Sequence, residues 1–212
     1  MKRLTGSLAA LATAATVFGA TLPAEAAQAP KEKSLVSVLT ADNNKFDKNS
    51  KDFDILTEAA LAVVGAKPDS PVGLLADGSV RLTAFAPTDQ AFRHLAKDLT
   101  GKTVRSEKKI FSTLVDLAGV DTIEQVLLYH VVAGKTLTSN KVLKAKGATL
   151  TTAQGGTLKV KITKKKGSPV ITLKDQDRND KDAKVILTAI DLNKGNKQVA
   201  HGIDQVLRPI DL

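Results

Sequence analysis

The chain has 212 residues, no cysteine and a formal charge of +9 at neutral pH, from 31 basic and 22 acidic side chains. Without a thiol, disulfide scaffolding, thiolate metal sites and cysteine catalysis are excluded. The aromatics are six Phe and one Tyr, and the basic residues are mostly Lys, so the expected core is Leu, Val, Ile and Ala. The expected surface is a solvated lysine field without the Arg stripe or stacking aromatics of a nucleic-acid binder.

Lys2 and Arg3 precede an apolar run over residues 8–20, then Pro23 and the small-x-small site Ala24-Glu25-Ala26. This order reads as a signal peptide over residues 1–26. The run is shorter than the roughly 20 apolar residues of a membrane span, so cleavage and export are expected, with no integral span afterwards. Residues 27–33 read as a flexible lead-in and 34–212 as one domain.

The folded part is expected to begin at 34–39, followed by a polar surface loop at 40–51. Asp52 stands where it can cap a helix with Ile55, Leu56, Ala59, Ala60, Val63 and Val64 on one face, closed by Gly65. Two prolines and two glycines mark 66–79 as a loop. Val80, Leu82, Ala84 and Ala86 then alternate with Arg81, Thr83 and Phe85, a strand pattern. Pro87 is expected to end its ladder. Thr88 is placed to cap the next helix through its hydroxyl, on the amide of Gln90 or Ala91. Asp89 puts a negative charge at the helix's positive end. Ala91, Phe92, Leu95, Ala96 and Leu99 follow at helical spacing up to Gly101, with Phe92 read as core.

Another helix is expected from Ser106 to Gly119, with Ile110, Phe111, Leu114 and Val115 inward. Asp121-Thr122-Ile123-Glu124 has capping-box spacing and launches the apolar run 126–132, which ends at Gly134. A short helix is predicted over Ser139–Lys144. Strand patterns then fall at 148–152, 157–163, 170–174, 184–192 and 199–207, with turns at Gly155-Gly156 and at 166–169. Leu158, Val160 and Ile162 alternate with Lys159, Lys161 and Thr163, so one sheet face is packed and the other wet. Helices dominate the first half and strands the second, which argues an α+β fold.

Three motifs in order resemble the fasciclin domain family. The first is Thr83-x-Phe85-Ala86-Pro87-Thr88-Asp89-x-Ala91-Phe92. The second is the tyrosine–histidine stretch Leu127-Leu128-Tyr129-His130-Val131-Val132-x-Gly134. The third is Val199-x-His201-x-Ile203-Asp204-x-Val206-Leu207-x-Pro209. Two departures concern the local turn before β-rich signature three: Lys197-Gln198 stands where Asn-Gly is common, and Gly202 where a branched residue is usual. The resemblance implies a wedge or partly open β-sandwich with several helices packed on one side. It also implies an extracellular, non-enzymatic adhesion or interaction module. In animal members the tyrosine–histidine motif is linked to integrin binding, which carried over points to Leu127, Leu128, Tyr129, His130, Val131 and Val132. Six such residues in one apolar run fit a core role better.

The chain has three histidines, His94, His130 and His201. A zinc site on His130 and His201 would need further ligands that cysteine cannot supply, so hydrogen-bonded core histidines are the favoured reading. Ser112 or Ser139 with a histidine makes a triad only on paper, because no nucleophile elbow accompanies it. Asp175-Gln176-Asp177-Arg178-Asn179 has the spacing of a calcium loop, but Asp180 and Ile186 replace its glycine and glutamate. A solvated hairpin tip is expected there, and a solvated turn at Lys164-Lys165-Lys166. No catalytic group, metal or cofactor is assigned. The expected partner is a cell-surface protein, a matrix component or an anionic envelope polymer, with no nucleic acid. The alternative is an envelope enzyme or small-ligand carrier using a cleft near His130 and His201.

Overall fold

The computed structural model describes residues 32–41 and 46–210. The signal-peptide reading of 1–26 and nearly all of the lead-in lie outside the described residues. Within them are five α-helices, seven strands and two 3-10 turns, arranged as a helical layer, a middle sheet and an outer sheet. The middle sheet has the order β2-β1-β7 and the outer sheet the order β3-β4-β5-β6. This is the α+β, helices-on-one-side architecture that the motif order implied.

Strand β1 (Leu82–Pro87) lies at the centre and is buried on both faces. It runs antiparallel to β2 (Val131–Ala133) and parallel to β7 (Gln198–Ile203). Leu82 and Ala86 join the helical core, together with Leu35, Ile55, Val63, Phe92, Ile110 and Leu127. Phe85 faces the other way, into a second core with Tyr129, Leu158, Val160, Ile171, Leu173 and Ile203. The period-two alternation of β1 therefore serves two cores rather than one core and solvent.

Pro87 remains in the ladder, opposite Ile203, where the sequence suggested a stop. The reason is the direction of its missing donor. Phe85 donates to His130 on the β2 side, and Thr88 donates to Ile203 on the β7 side. Pro87 shares the parity of Phe85, so its absent N–H belongs to the side where β2 has already ended.

Helix α1 (Leu35–Leu39) starts at Ser34, whose hydroxyl accepts the Ser37 amide. Helix α2 (Asp54–Ala66) is not capped by Asp52. The Asp89 carboxyl performs that task from another element, accepting the Ile55 amide at 2.9 Å and the Asp54 amide at 3.3 Å. Gly65 lies inside α2, which ends one residue later. The expected loop at 66–79 contains a 3-10 turn, Pro71–Ala76, started by Pro71 and by Ser70, which accepts the Val72 amide.

Helix α3 (Asp89–Thr100) has Thr88 at its N-cap in extended backbone, but the hydroxyl makes no capping bond. The Gln90 amide instead donates to the Ser50 carbonyl at 2.8 Å, and the Asp89 amide to the Asp52 carbonyl at 3.0 Å. The chain before α2 thus supplies the acceptors. Gly101 closes α3 at φ 68°, as its position predicts. Helix α4 (Glu107–Tyr129) is two arms joined at non-helical Gly119, where the sequence placed the end of the first arm. The run 126–132 does not stay helical. It turns at His130 and continues as β2, because Val131 and Val132 pair with Ala84 and Thr83.

Helix α5 (Ser139–Lys144) leads to the outer sheet: β3 (Thr149–Thr151), β4 (Thr157–Lys165), β5 (Ser168–Lys174) and β6 (Ala183–Lys184). Lys166 (φ 49°) and Gly167 (φ 83°) form the two-residue β4–β5 turn. The segment 184–192 is not one strand. After β6 it crosses β7 at single bridges, Val185 with Ile203 and Leu192 with Ala200, around the 3-10 turn Leu187–Ala189. The last strand pattern ends at Ile203 rather than at residue 207.

Candidate functional site

The tyrosine–histidine segment is placed at the junction of the helical layer and the middle sheet. Its six residues, Leu127, Leu128, Tyr129, His130, Val131 and Val132, are all buried. Tyr129 donates its hydroxyl to the Thr157 carbonyl at 2.8 Å. Its ring lies so close to Gly156 that a Cβ there would sit 2.8 Å from Cε2. His130 has its Nδ1 2.7 Å from the Val126 carbonyl, and its Nε2 accepts the Leu207 amide at 2.9 Å. That pairing fixes the proton on Nδ1, and burial lowers the pKa to about 4. The segment's side chains belong to the core, with Leu127 and His130 also lining the apolar groove between α3 and α4.

The other signatures brace the same junction. The Thr83 hydroxyl donates to the Lys135 carbonyl at 2.6 Å and accepts the Leu137 amide at 2.8 Å. His201 bonds the Leu137 carbonyl through Nε2 at 2.7 Å and accepts the Asp191 amide on Nδ1 at 3.2 Å. Burial lowers its pKa, and the Leu137 bond and Asp191 oppose that shift. The proton arrangement is thus the reverse of that in His130. Phe85 stands between the two: its amide donates to the His130 carbonyl, and its ring centroid is 6.0 Å from that of His201. The two imidazoles share no hydrogen-bond partner. Ile203 and Pro209 are buried, and Asp204 accepts the Lys184 amide at 2.7 Å. His94 is in hydrogen-bond contact with Gln90 and Gln205.

The carboxylates at 175–180 do not form a solvated tip. They enclose Arg208, a residue that sequence reasoning passed over. Arg208 reaches Asp98 at 2.9 Å, Asp177 at 3.2 Å and Asp180 at 3.5 Å, and its amide donates to Asp175 at 2.8 Å. Burial raises Asp180 to about 7 and Asp175 to about 6. Gln198, noted in the sequence only as a departure from Asn-Gly, has a bracing role that was not foreseen. It is fully buried, accepts the Leu35 amide at 2.7 Å and donates to the Leu74 and Asp77 carbonyls. It ties α1, the Pro71–Ala76 turn and β7 together, in place of the common Asn-Gly turn. Gly202 is explained by close approach: a Cβ there would lie 2.7 Å from the Ala189 Cβ.

Two further features mark the surface of the described residues. One is an apolar groove of about 460 Å³ along α3 and α4, lined by Phe92, Leu95, Leu114, Ile123 and Val126. His130 is its one titratable lining residue among the described residues. Leu99, Leu117 and Ile210 stand exposed among its walls. The other is the outer face of the outer sheet. Lys159, Lys161 and Lys165 alternate along β4, Lys174 stands directly opposite Lys159, and Lys184 stands opposite Thr172. All five lysines are exposed.

A family model described as the fasciclin domain matches residues 69–209. The chain belongs to the fasciclin domain family. The fold is similar to that of a FAS1 domain pair from the insect cell adhesion molecule fasciclin I, at a TM-score of 0.50 and 20% identity. That match covers 72% of this chain and 46% of the other, so the chain spans about half the length of that relative. No curated protein matches the chain. Helices α1 and α2 precede the matched residues of the fasciclin domain, yet Leu35, Ile55 and Val63 belong to its helical core. Among the described residues no helix is long and apolar enough to cross a membrane.

Proposed function

We propose that this fasciclin domain is an exported, non-enzymatic interaction module that docks its outer sheet face on an anionic polymer of the cell envelope or matrix. The observation that carries the reading is the row of five exposed lysines, Lys159, Lys161, Lys165, Lys174 and Lys184, on one face. Like charges directly opposite in a sheet, as at Lys159 and Lys174, are destabilising. Asp182, 3.9 Å from Lys174, offsets only part of that repulsion. Stability does not require this pattern, whereas attraction of a polyanion does. A module without chemistry is supported by His130 and His201, whose ring nitrogens are all occupied by main-chain groups. Export is supported by the signal-like order of residues 2–26.

The test is retention of the purified chain on immobilised dextran sulfate against neutral dextran. Retention is expected at low ionic strength and lost as salt shortens the screening length. The triple variant Lys159→Gln, Lys161→Gln, Lys174→Gln is expected to abolish retention. Lys97→Gln, Lys108→Gln, Lys109→Gln on the helical side removes the same charge and is expected to preserve it. Equal loss in both triples would mean nonspecific net charge and end the reading.

The apolar groove favours a second reading, that of a carrier for a small apolar ligand. Saturable binding of a long-chain fatty acid, lost in Leu117→Asp, would support it. No binding of such a ligand would leave the groove to apolar side chains of a surface protein.

A further inference from the structure

Three helices begin on an acidic residue, and the three beginnings meet. Asp54 opens α2, Asp89 opens α3 and Glu107 opens α4, and all three are buried. Asp47 and Asp52, from the chain leading into α2, complete the group. Carboxylate oxygens of Asp52, Asp89 and Glu107 lie within 4.8 Å of one another, and so do those of Asp47, Asp54 and Glu107. Glu107 is common to both sets. Arg93 approaches Glu107 at 3.8 Å, too far for a hydrogen bond. Each helix N-terminus contributes about half a positive charge. Together with Arg93 these offset only about half of the five negative charges.

A second observation is independent of that charge count. Glu107 is 1% exposed and accepts the Asp47 amide on Oε2 at 2.7 Å, but its Oε1 is sealed from solvent without a hydrogen-bond donor. The Asp52 Oδ1 is sealed in the same way. Buried carboxylate oxygens are costly unless something positive satisfies them.

We propose that this cluster is a calcium site in which Glu107 is the shared ligand, with Asp52 and Asp89 as one set of partners and Asp54 and Asp47 as the other. Every donor is oxygen, as Ca²⁺ requires, and no nitrogen or sulfur ligand of the kind zinc favours is among them. Ca²⁺–oxygen distances of about 2.3–2.6 Å allow ligand oxygens up to about 4.6–5.2 Å apart, and each of the two sets, with its oxygens within 4.8 Å of one another, falls inside that limit. Mg²⁺ demands a near-ideal octahedron and holds on to its waters, so a cage of protein carboxylates suits it less. Asp47 is exposed and provides the way in. The ion clamps the starts of α2, α3 and α4 to one another, a structural role separate from the lysine face.

The test is thermal unfolding of the purified chain, stripped with chelator and titrated with CaCl₂ or MgCl₂ at constant ionic strength. Ca²⁺ at a hundredfold excess over its Kd is expected to raise Tm by about 5–10 °C, and Mg²⁺ by much less. Glu107→Gln is expected to abolish the shift. So is Asp52→Asn, at a half-buried position where folding is retained even if the first variant fails to fold. Each variant relieves repulsion, so its stripped Tm is expected to equal or exceed that of stripped wild type, which a merely structural carboxylate would not do. No Ca²⁺ shift in the wild type, an equal shift with Mg²⁺, or a shift that survives in Asp52→Asn overturns the site.

Discussion

His130 has a main-chain group on each ring nitrogen, and its charge follows from that enclosure. Its pKa falls from the ordinary 6.5 to about 4 because burial disfavours the cation. A histidine lowered in this way contributes stability in full above about pH 6.5, and the contribution is lost as pH falls towards 4. The expected outcome is that ring signals of His130, followed by NMR, do not titrate above pH 5; a midpoint near 6.5 would contradict its burial. Asp175 and Asp180 run the other way. Their raised values, about 6 and about 7, mean a contribution fully present below about pH 4 and lost as pH rises through those values. Acidification from neutrality therefore protonates the pocket around Arg208 before it reaches His130. The enclosure of both histidines was the favoured sequence reading, since neither had neighbours suited to metal or nucleophile chemistry. The burial of Asp89 was not legible. A carboxylate at the start of a helix reads as a solvated charge, and only the tertiary fold brings it to the amides of α2.

At the scale of elements, Gly202 is the sharpest constraint. Gly202→Ala places a methyl 2.7 Å from the Ala189 Cβ and 3.3 Å from its carbonyl oxygen. It is expected to cost about 1–3 kcal/mol by overpacking, measured by urea denaturation; an unchanged midpoint would mean that the Leu187–Ala189 turn moves freely. Elements with complete local signals were readable at residue level. Helix α5 matches its predicted span, and α3 runs from the Thr88 cap to Gly101. Elements set by tertiary contact were not. The same apolar periodicity in 126–132 suits helix and strand, and pairing of Val131 and Val132 with β1 decides the switch. Pro87 reads as a terminator unless one knows that β2 ends before reaching it. The 3-10 turn in 71–76 is hidden because its Pro and Gly are also loop residues.

At the scale of the molecule, the helical and inter-sheet cores meet across β1 and β7. Ile110 is buried in the first core and Leu158 in the second, both at 0% exposure. Ile110→Ala and Leu158→Ala are each expected to lower stability by about 2–5 kcal/mol. Both should shift one common transition, because neither core keeps its wall when the middle sheet opens. Two separate transitions, seen by calorimetry, would refute that coupling. The lysine face was legible from strict alternation in 157–163, whose wet side was already basic. The groove, the Arg208 enclosure and the carboxylate cluster were not, because each gathers residues from elements distant in sequence.

The parallel pairing of β1 with β7 has a temporal side. Leu82 must wait for Gln198 before the middle sheet can close, and residues are added at about 5–20 per second during synthesis. The nascent chain therefore spends on the order of ten seconds with its central strand unpaired on that edge. A polypeptide halted before Gln198 can gather its helices and pair β1 with β2, but it leaves the other edge of β1 open. Long-range closure of this kind is slow in any case, so the middle sheet stays open at that edge until β7 itself has been made.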